Sequence, residues 1–405
     1  MISDEDLASL RFGMTDVPAS GGKPGDYEER LTQWFLERSF FRDFTYRNPA
    51  KRKGEELADA AVLFDDVAFL VQVKAQHGNH EAKAWATEAI LKALKQVRAT
   101  HESLVGGIVK TLTNELYGKV EFDPASYPNM YGIIILAQRS EPFDPIELVP
   151  ELKDAGFPIF VFSLSDIELI THRFDTGADF VHFIELRTDT AAMGKYLVND
   201  EERNLMQMVE FAPAVYALRM QPITAETLRK TADAFFEKAS GALVHSQDWR
   251  YGLAIDDMIA RAHDVDPSLE WNTGPASVAA NVARFLGWLS RDRRIKLGKR
   301  MFNACLESER TGKAEYFTHF ERSAGTVGVY LASGQTRKER VEMLQFLVTY
   351  ARFRYQTKRA FGVATDSGAN GRAYDFMLTR TELPSEVTEY LRSIPDPFTS
   401  EMNSL

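Results

Sequence analysis

The chain has 405 residues, 44% hydrophobic and 26% charged, with a formal charge of −10. That length holds two or three domains, and the balance excludes a disordered or fibrous chain. The negative charge excludes indiscriminate coating of nucleic acid, while leaving room for a local basic channel.

The single cysteine, Cys305, excludes an internal disulfide and fits a reducing compartment. It lies in an apolar helical stretch and reads as a core residue rather than a nucleophile. No apolar run nears the roughly 20 residues needed to span a bilayer. The first residues are acidic, where a signal peptide is basic and then apolar. The expectation is a cytoplasmic protein without a membrane partner.

Residues 1–25 end in Ala-Ser-Gly-Gly-Lys-Pro-Gly and read as a flexible lead-in. Asp26 is placed to cap a helix whose apolar positions Tyr27, Leu31, Trp34 and Phe35 follow helical spacing. Glu28 and Glu29 fall in its first turn, where the helix dipole favours acids. The aromatic run Phe40–Arg47 predicts a strand, ended by Asn48-Pro49. Arg47, Lys51, Arg52 and Lys53 follow as a basic loop, either solvated or set to meet phosphate.

Two apolar runs, Leu57–Phe64 and Val67–Ala75, flank Asp65-Asp66 and predict a β-hairpin. A symmetric turn pairs residues whose numbers sum to 131, so Asp59 lies opposite Gln72. Side chains alternate along a strand, which gathers Asp59, Ala61, Leu63, Leu70, Gln72 and Lys74 on one face. The other face, from Ala60 and Val62 to Val71 and Val73, is wholly apolar. Cross-strand neighbours lie roughly 5 Å apart, so Asp59, Gln72 and Lys74 can converge on one ligand. Burying a carboxylate, an amide and an ammonium is costly unless they pair or bind a cation. An internal Asp–Lys ion pair with a glutamine hydrogen bond satisfies that condition equally well.

Beyond Lys74, His77 and His80 have zinc-like spacing but lack a second ligand pair at a usable distance. A helix over 81–101 is predicted, with Trp85, Ile90, Leu91, Leu94 and Val97 on its apolar face. Lys83, Lys92, Lys95 and Arg98 lie off that stripe, as a solvated face or the wall of a groove. Tyr131–Gln138 and Phe157–Ser163 read as strands buried on both faces, joined through a helix near 145–156. Ser165 and Glu168 are spaced as a capping box.

Around 188–204 the composition shifts to that of a boundary. Residues 205–310 read as helical, chiefly Glu210–Met220, Ala225–Ser240 and Pro275–Leu289. The dense basic run Arg291–Arg300 contains Arg293 and Arg294, which suit phosphate or an acidic partner or a plain basic surface. Residues 311–405 read as a second, smaller α/β unit. Its strands are Thr326–Ala332, Ala360–Thr365 and Asp375–Thr379, and a long helix opens at the capping box Thr336/Glu339. That helix ends with Arg352, Arg354, Lys358 and Arg359 interleaved with Phe353 and Tyr355. Such interleaving suits single-stranded nucleic acid or an ordinary amphipathic helix end.

An acid on one strand followed by Gln72-Val73-Lys74 on the next resembles the PD-(D/E)XK nuclease superfamily, in the QxK form of Mrr-like restriction enzymes. Ala58 stands where the family name has Pro, and Gln72 replaces the second acid. The layout Tyr27-Glu28-x-x-Leu31-x-x-Trp34-Phe35 is similar to the opening helix of those enzymes, in which Glu28 would supply a further acid. The resemblance implies an αβββαβ core over residues 26–190. It implies Mg²⁺, with Mn²⁺ as an alternative, held by Asp59, Gln72, the Val73 carbonyl and Glu28, with Lys74 at the attacking water. The implied activity is phosphodiester hydrolysis by a DNA endonuclease of restriction or anti-phage type, DNA ahead of RNA, acting as a homodimer or higher oligomer. Lys51, Arg52, Lys53, Lys92, Lys95, Arg293 and Arg294 would contact the nucleic acid. The alternative is an inactive binding or interaction protein on the same core, with the C-terminal region as sensor or partner-binding module.

Overall fold

In a computed structural model the described residues are 25–47, 50–52, 55–56, 58–77, 81–137, 152, 155–192, 249–262, 278–321, 325–367, 374–379 and 383–398. They fall into two compact units, one within 25–192 and one within 249–398. The segment 1–24, the expected 188–204 boundary beyond Ala192, most of the helix expected at 145–156 and the helices expected at Glu210–Met220 and Ala225–Ser240 lie outside the described residues, as do Lys53 and His80.

The first unit opens with helix α1 (Asp26–Phe44). Gly25 precedes it at φ 96, and Asp26 sits inside the first turn rather than capping it. The aromatic run expected as a strand from Phe40 is helical through Phe44, with a kink at Phe41 (φ 61), and only β1 (Thr45–Arg47) is extended. Phe40 and Phe44 stand on either side of the kink and are both buried. Both rings reach Phe64, with centroids at 5.3 and 5.0 Å.

A small ladder of β2 (Ala50–Arg52) and β3 (Glu55–Glu56) precedes the central hairpin of β4 (Ala60–Phe64) and β5 (Val67–Ala75). Pairing runs from Ala60↔Val71 to Phe64↔Val67, in the register expected from sequence. Asp65 takes φ 54, meeting the need for a positive φ at the start of the two-residue turns that match strand twist. Helix α2 (Ala82–Val105) follows, capped by the Glu81 carboxylate, which accepts from the Lys83 and Ala84 N–H groups at 3.2 and 2.8 Å.

A hairpin not foreseen in sequence, β6 (Thr111–Asn114) and β7 (Gly118–Glu121), hangs on Asn114, which is 1% exposed. The Asn114 amide donates to the Arg42 and Thr45 carbonyls at 2.9 Å each and accepts from the Leu116 and Tyr117 N–H groups. Strands β8 (Asn129–Ala137) and β9 (Ile159–Ser163) then extend the sheet, and α3 (Leu164–Arg173) and α4 (Gly177–Ala192) close the unit. The capping box is built from Ser163 and Asp166 rather than Ser165 and Glu168, because β9 ends at Ser163 and the helix starts one residue later.

The sheet order is β1-β4-β5-β8-β9, with β5, β8 and β9 mutually parallel and β4 antiparallel to β5. One face, bearing Ala61, Leu63, Leu70, Ile134 and Leu136, packs on Ala86, Ile90, Ala93 and Val97 of α2. On the other, Phe69 stacks on Tyr131 at 5.6 Å and meets Phe40 and Phe180 from α1 and α4. The alternating hairpin therefore buries both faces, as an α/β sheet covered by helices requires.

The second unit comprises α5 (Trp249–Arg261), α6 (Val278–Gly287), α7 (Arg291–Thr311), β10 (Glu315–Glu321), β11 (Thr326–Ser333), α8 (Arg337–Tyr355), β12 (Arg359–Asp366), β13 (Tyr374–Thr379) and α9 (Ser385–Ser393). Its sheet order is β10-β11-β12-β13, with β11 and β12 parallel across the α8 crossover. Of the region read as helical, 205–310, the described helices α5, α6 and α7 belong to this unit, and α6 and α7 pack on its sheet. Helices α5 and α7 approach so closely that a Cβ on Gly298 would stand 1.9 Å from the Tyr251 carbonyl oxygen. Among the described residues, no helix is long and apolar enough to cross a membrane.

Candidate functional site

The hairpin strands part company at Asp59. The Asp59 N–H donates to the Val71 carbonyl at 3.1 Å, although Val71 already pairs with Ala60. Two consecutive residues thus oppose one, the geometry of a β-bulge, and Asp59 is not the regular partner of Gln72 that the symmetric register predicts. Past the bulge, the Val73 N–H finds no backbone acceptor on β4. The Asp59 carboxylate takes it instead, with Oδ2 at 2.6 Å. A side chain thereby replaces a ladder hydrogen bond and is fixed in place by it.

Gln72 and Lys74 share a strand face as alternation requires, and Asp59 reaches them from the bulge. Lys74 Nζ lies 3.1 Å from Gln72 Oε1, 3.1 Å from the Val73 carbonyl and 3.9 Å from Asp59 Oδ2. Gln72 is 2% exposed, and the Asp59 and Lys74 side chains are 12% and 18% exposed. The cluster sits at the C-terminal ends of parallel strands, where open α/β sheets place their ligands. Burial pushes the Lys74 ammonium below its usual pKa of 10.5; Asp59 and Glu29 oppose that shift and Lys92 adds to it.

Of the two first-turn acids, Glu29 rather than the expected Glu28 is the one whose charge acts on Lys74, as the smallest of the four influences on it. Successive helix positions are turned by about 100°, so the two acids do not share a face. Glu29 begins a polar stripe at four-residue spacing with Gln33 and Glu37, which are 3% and 7% exposed. Gln33 Nε2 donates to Glu37 Oε1 at 3.0 Å.

Lys92 and Lys95 are exposed on α2. Lys51 and Arg52 lie in β2. In the second unit Arg293 is exposed on α7. Arg294 is corrected: it is fully buried, donates to Asp256 Oδ1 at 2.6 Å and to the Leu289 and Gly287 carbonyls, and offers nothing to a nucleic acid. Cys305, read as a core residue, is only half-buried on α7, and partial burial pushes its thiol above its usual pKa.

Among the described residues no group of three or more His, Cys, Asp or Glu side chains gathers as a metal cluster. The donors that do gather are oxygens: the Asp59 carboxylate, the Gln72 amide oxygen and the Val73 carbonyl, all turned to one cationic centre. Hard oxygen donors of this kind fit Mg²⁺, which keeps several waters and needs only one or two carboxylates. Comparison with protein-family models, curated proteins and solved structures gave no match.

Proposed function

We propose that the first unit is a Mg²⁺-dependent nuclease of the PD-(D/E)XK type that hydrolyses phosphodiester bonds, with DNA as the preferred substrate. The observation that carries this reading is the convergence of Asp59, Gln72, the Val73 carbonyl and Lys74 where the hairpin strands diverge. The order α1, β1, β4, β5, α2, β8 supports it, since it is the helix and strand sequence of that core. Asp59, Gln72 and the Val73 carbonyl would hold the ion, with Glu29 as the fourth protein group. Bound Mg²⁺ would supply a more acidic water and neutralise charge on the phosphate.

The chain's own groups have distinct tasks. The Val73 N–H fixes the Asp59 carboxylate, so the ligand is oriented before substrate arrives. Lys74 donates to the attacking water or to a non-bridging phosphate oxygen, offsetting the charge that builds in the transition state. Lys92, exposed beside Lys74, meets the neighbouring phosphate. As the water oxygen bonds to phosphorus it gives up a proton to solvent, and the bond to the leaving sugar oxygen breaks as that oxygen takes a proton from solvent.

The test is cleavage of end-labelled duplex and single-stranded DNA and of RNA, in Mg²⁺ and in EDTA. Asp59→Asn and Lys74→Met should each lose roughly a hundredfold or more in rate. Glu29→Gln should lose more than Glu28→Gln. Wild-type rates in both Asp59→Asn and Lys74→Met would contradict the proposal. A second reading, a binding protein without catalysis, draws on Gln72, a neutral group where a second acid would strengthen the metal site. It predicts no Asp59-dependent metal binding at millimolar Mg²⁺.

A further inference from the structure

The three oxygens assigned to the metal are the same three that surround the Lys74 ammonium. Nζ stands 3.1 Å from Gln72 Oε1 and from the Val73 carbonyl, and 3.9 Å from Asp59 Oδ2. Mg²⁺ takes oxygens at about 2.0–2.1 Å and leaves no room for a second cation among them. We propose that Lys74 is a resident cation that holds this cradle in the metal-free protein and must be displaced before Mg²⁺ can enter. The inference rests on the nuclease reading for the identity of the metal seat.

Charge and burial support a single occupant. The cradle contains one carboxylate and a neutral amide that is 2% exposed, and a buried carboxylate is costly without a countercharge. Lys74 supplies that charge and satisfies Gln72 Oε1 together with the Val73 carbonyl, which lies past the end of β4. Once displaced, the ammonium is next to the metal and needs an anion. The substrate's phosphodiester is the group that enters there. Metal and substrate therefore strengthen each other's binding, and such coupling is reciprocal. Lys74 changes from a plug in the empty site to a phosphate contact in the loaded one, by movement of a charged group.

The experiment is calorimetric titration of the full chain with Mg²⁺ and with Mn²⁺ at one fixed pH, thermal melts confirming that each variant is folded. Lys74→Met should bind metal more tightly than wild type, by roughly ten- to a hundredfold, within the usual span of coupling between sites. Lys92→Met removes a nearby positive charge without vacating the seat and should tighten binding by no more than about fivefold. Asp59→Asn should abolish it. The proposal is overturned if Lys74→Met binds no tighter than wild type, or if Lys92→Met gains as much.

Asp59-dependent binding without a gain in Lys74→Met defeats this inference alone. Absence of metal binding in every protein defeats the nuclease reading with it. Should Lys74→Met fail to fold, Lys74→Gln takes its place. If that also fails, the wild-type Lys74 side-chain NMR signal must shift on adding Mg²⁺, and an unmoved signal overturns the proposal.

Discussion

Asp59 serves the backbone and the site with one carboxylate, and two substitutions separate those duties. Asparagine keeps an oxygen for the Val73 N–H, 2.6 Å away, but loses the charge; alanine loses both. An unsatisfied buried donor costs about 1–3 kcal/mol, so Asp59→Ala should be less stable than Asp59→Asn by about that amount in urea melts. Asp256 makes the complementary case in the second unit. Burial by itself raises its pKa, but Arg291 and Arg294 outweigh that and hold it below the usual 3.8. A folded pKa below the unfolded one gives stability that is present above the unfolded value and is lost as pH falls through the folded value. Acid unfolding of this unit should steepen below about pH 4, and Asp256→Asn should flatten that limb. The same substitution should cost about 3–5 kcal/mol at neutral pH by leaving Arg294 buried without its partner. Asp59, Gln72 and Lys74 were legible in the sequence because a period of two puts polar residues on one strand face. Glu28 was expected at the site, whereas Glu29 is the acid whose charge reaches Lys74; a first turn rich in acids does not reveal its phase. Arg294 was misread because a buried arginine and a solvated one look alike within a basic run.

At the scale of elements, glycine marks where backbones meet. Gly298 lies inside α7, where glycine ordinarily weakens a helix, but α5 passes so near that a Cβ would stand 1.9 Å from the Tyr251 carbonyl. Gly298→Ala should destabilise the second unit by about 1–3 kcal/mol or more, measured by chemical denaturation, despite alanine's better helix propensity. In the first unit, Asn114→Ala should release the β6–β7 hairpin, which would appear as faster amide exchange across 111–121 with the sheet core unchanged. The hairpin register, the cap of α8 at Thr336 and Glu339 and strands β11, β12 and β13 follow from local pattern alone. Helix α1 extended past its predicted end because two aromatic rings four residues apart both bury on Phe64, a tertiary contact that strand propensity cannot register. Strand β10 was missed because Glu315–Glu321 carries too many polar residues to read as extended until it pairs with β11.

The whole molecule consists of two compact units, each with its own sheet and core. Sequence composition had placed a boundary near residue 310, yet α5, α6 and α7 belong with the strands that follow them. Helices read singly cannot show which sheet they cover. Separate cores should give two thermal transitions by calorimetry. Saturating Mg²⁺ should raise only the one belonging to the first unit, by the linkage that follows binding to a folded state. Asp256→Asn should lower only the other. The central claim is that the oxygens at the divergent end of the hairpin hold a metal that cleaves nucleic acid. Its most direct test is conversion of supercoiled plasmid to nicked or linear DNA by purified protein in Mg²⁺. Wild type should convert the plasmid in Mg²⁺, with no conversion in EDTA and none by folded Asp59→Asn; conversion by Asp59→Asn at the wild-type rate would contradict a metal held at this site.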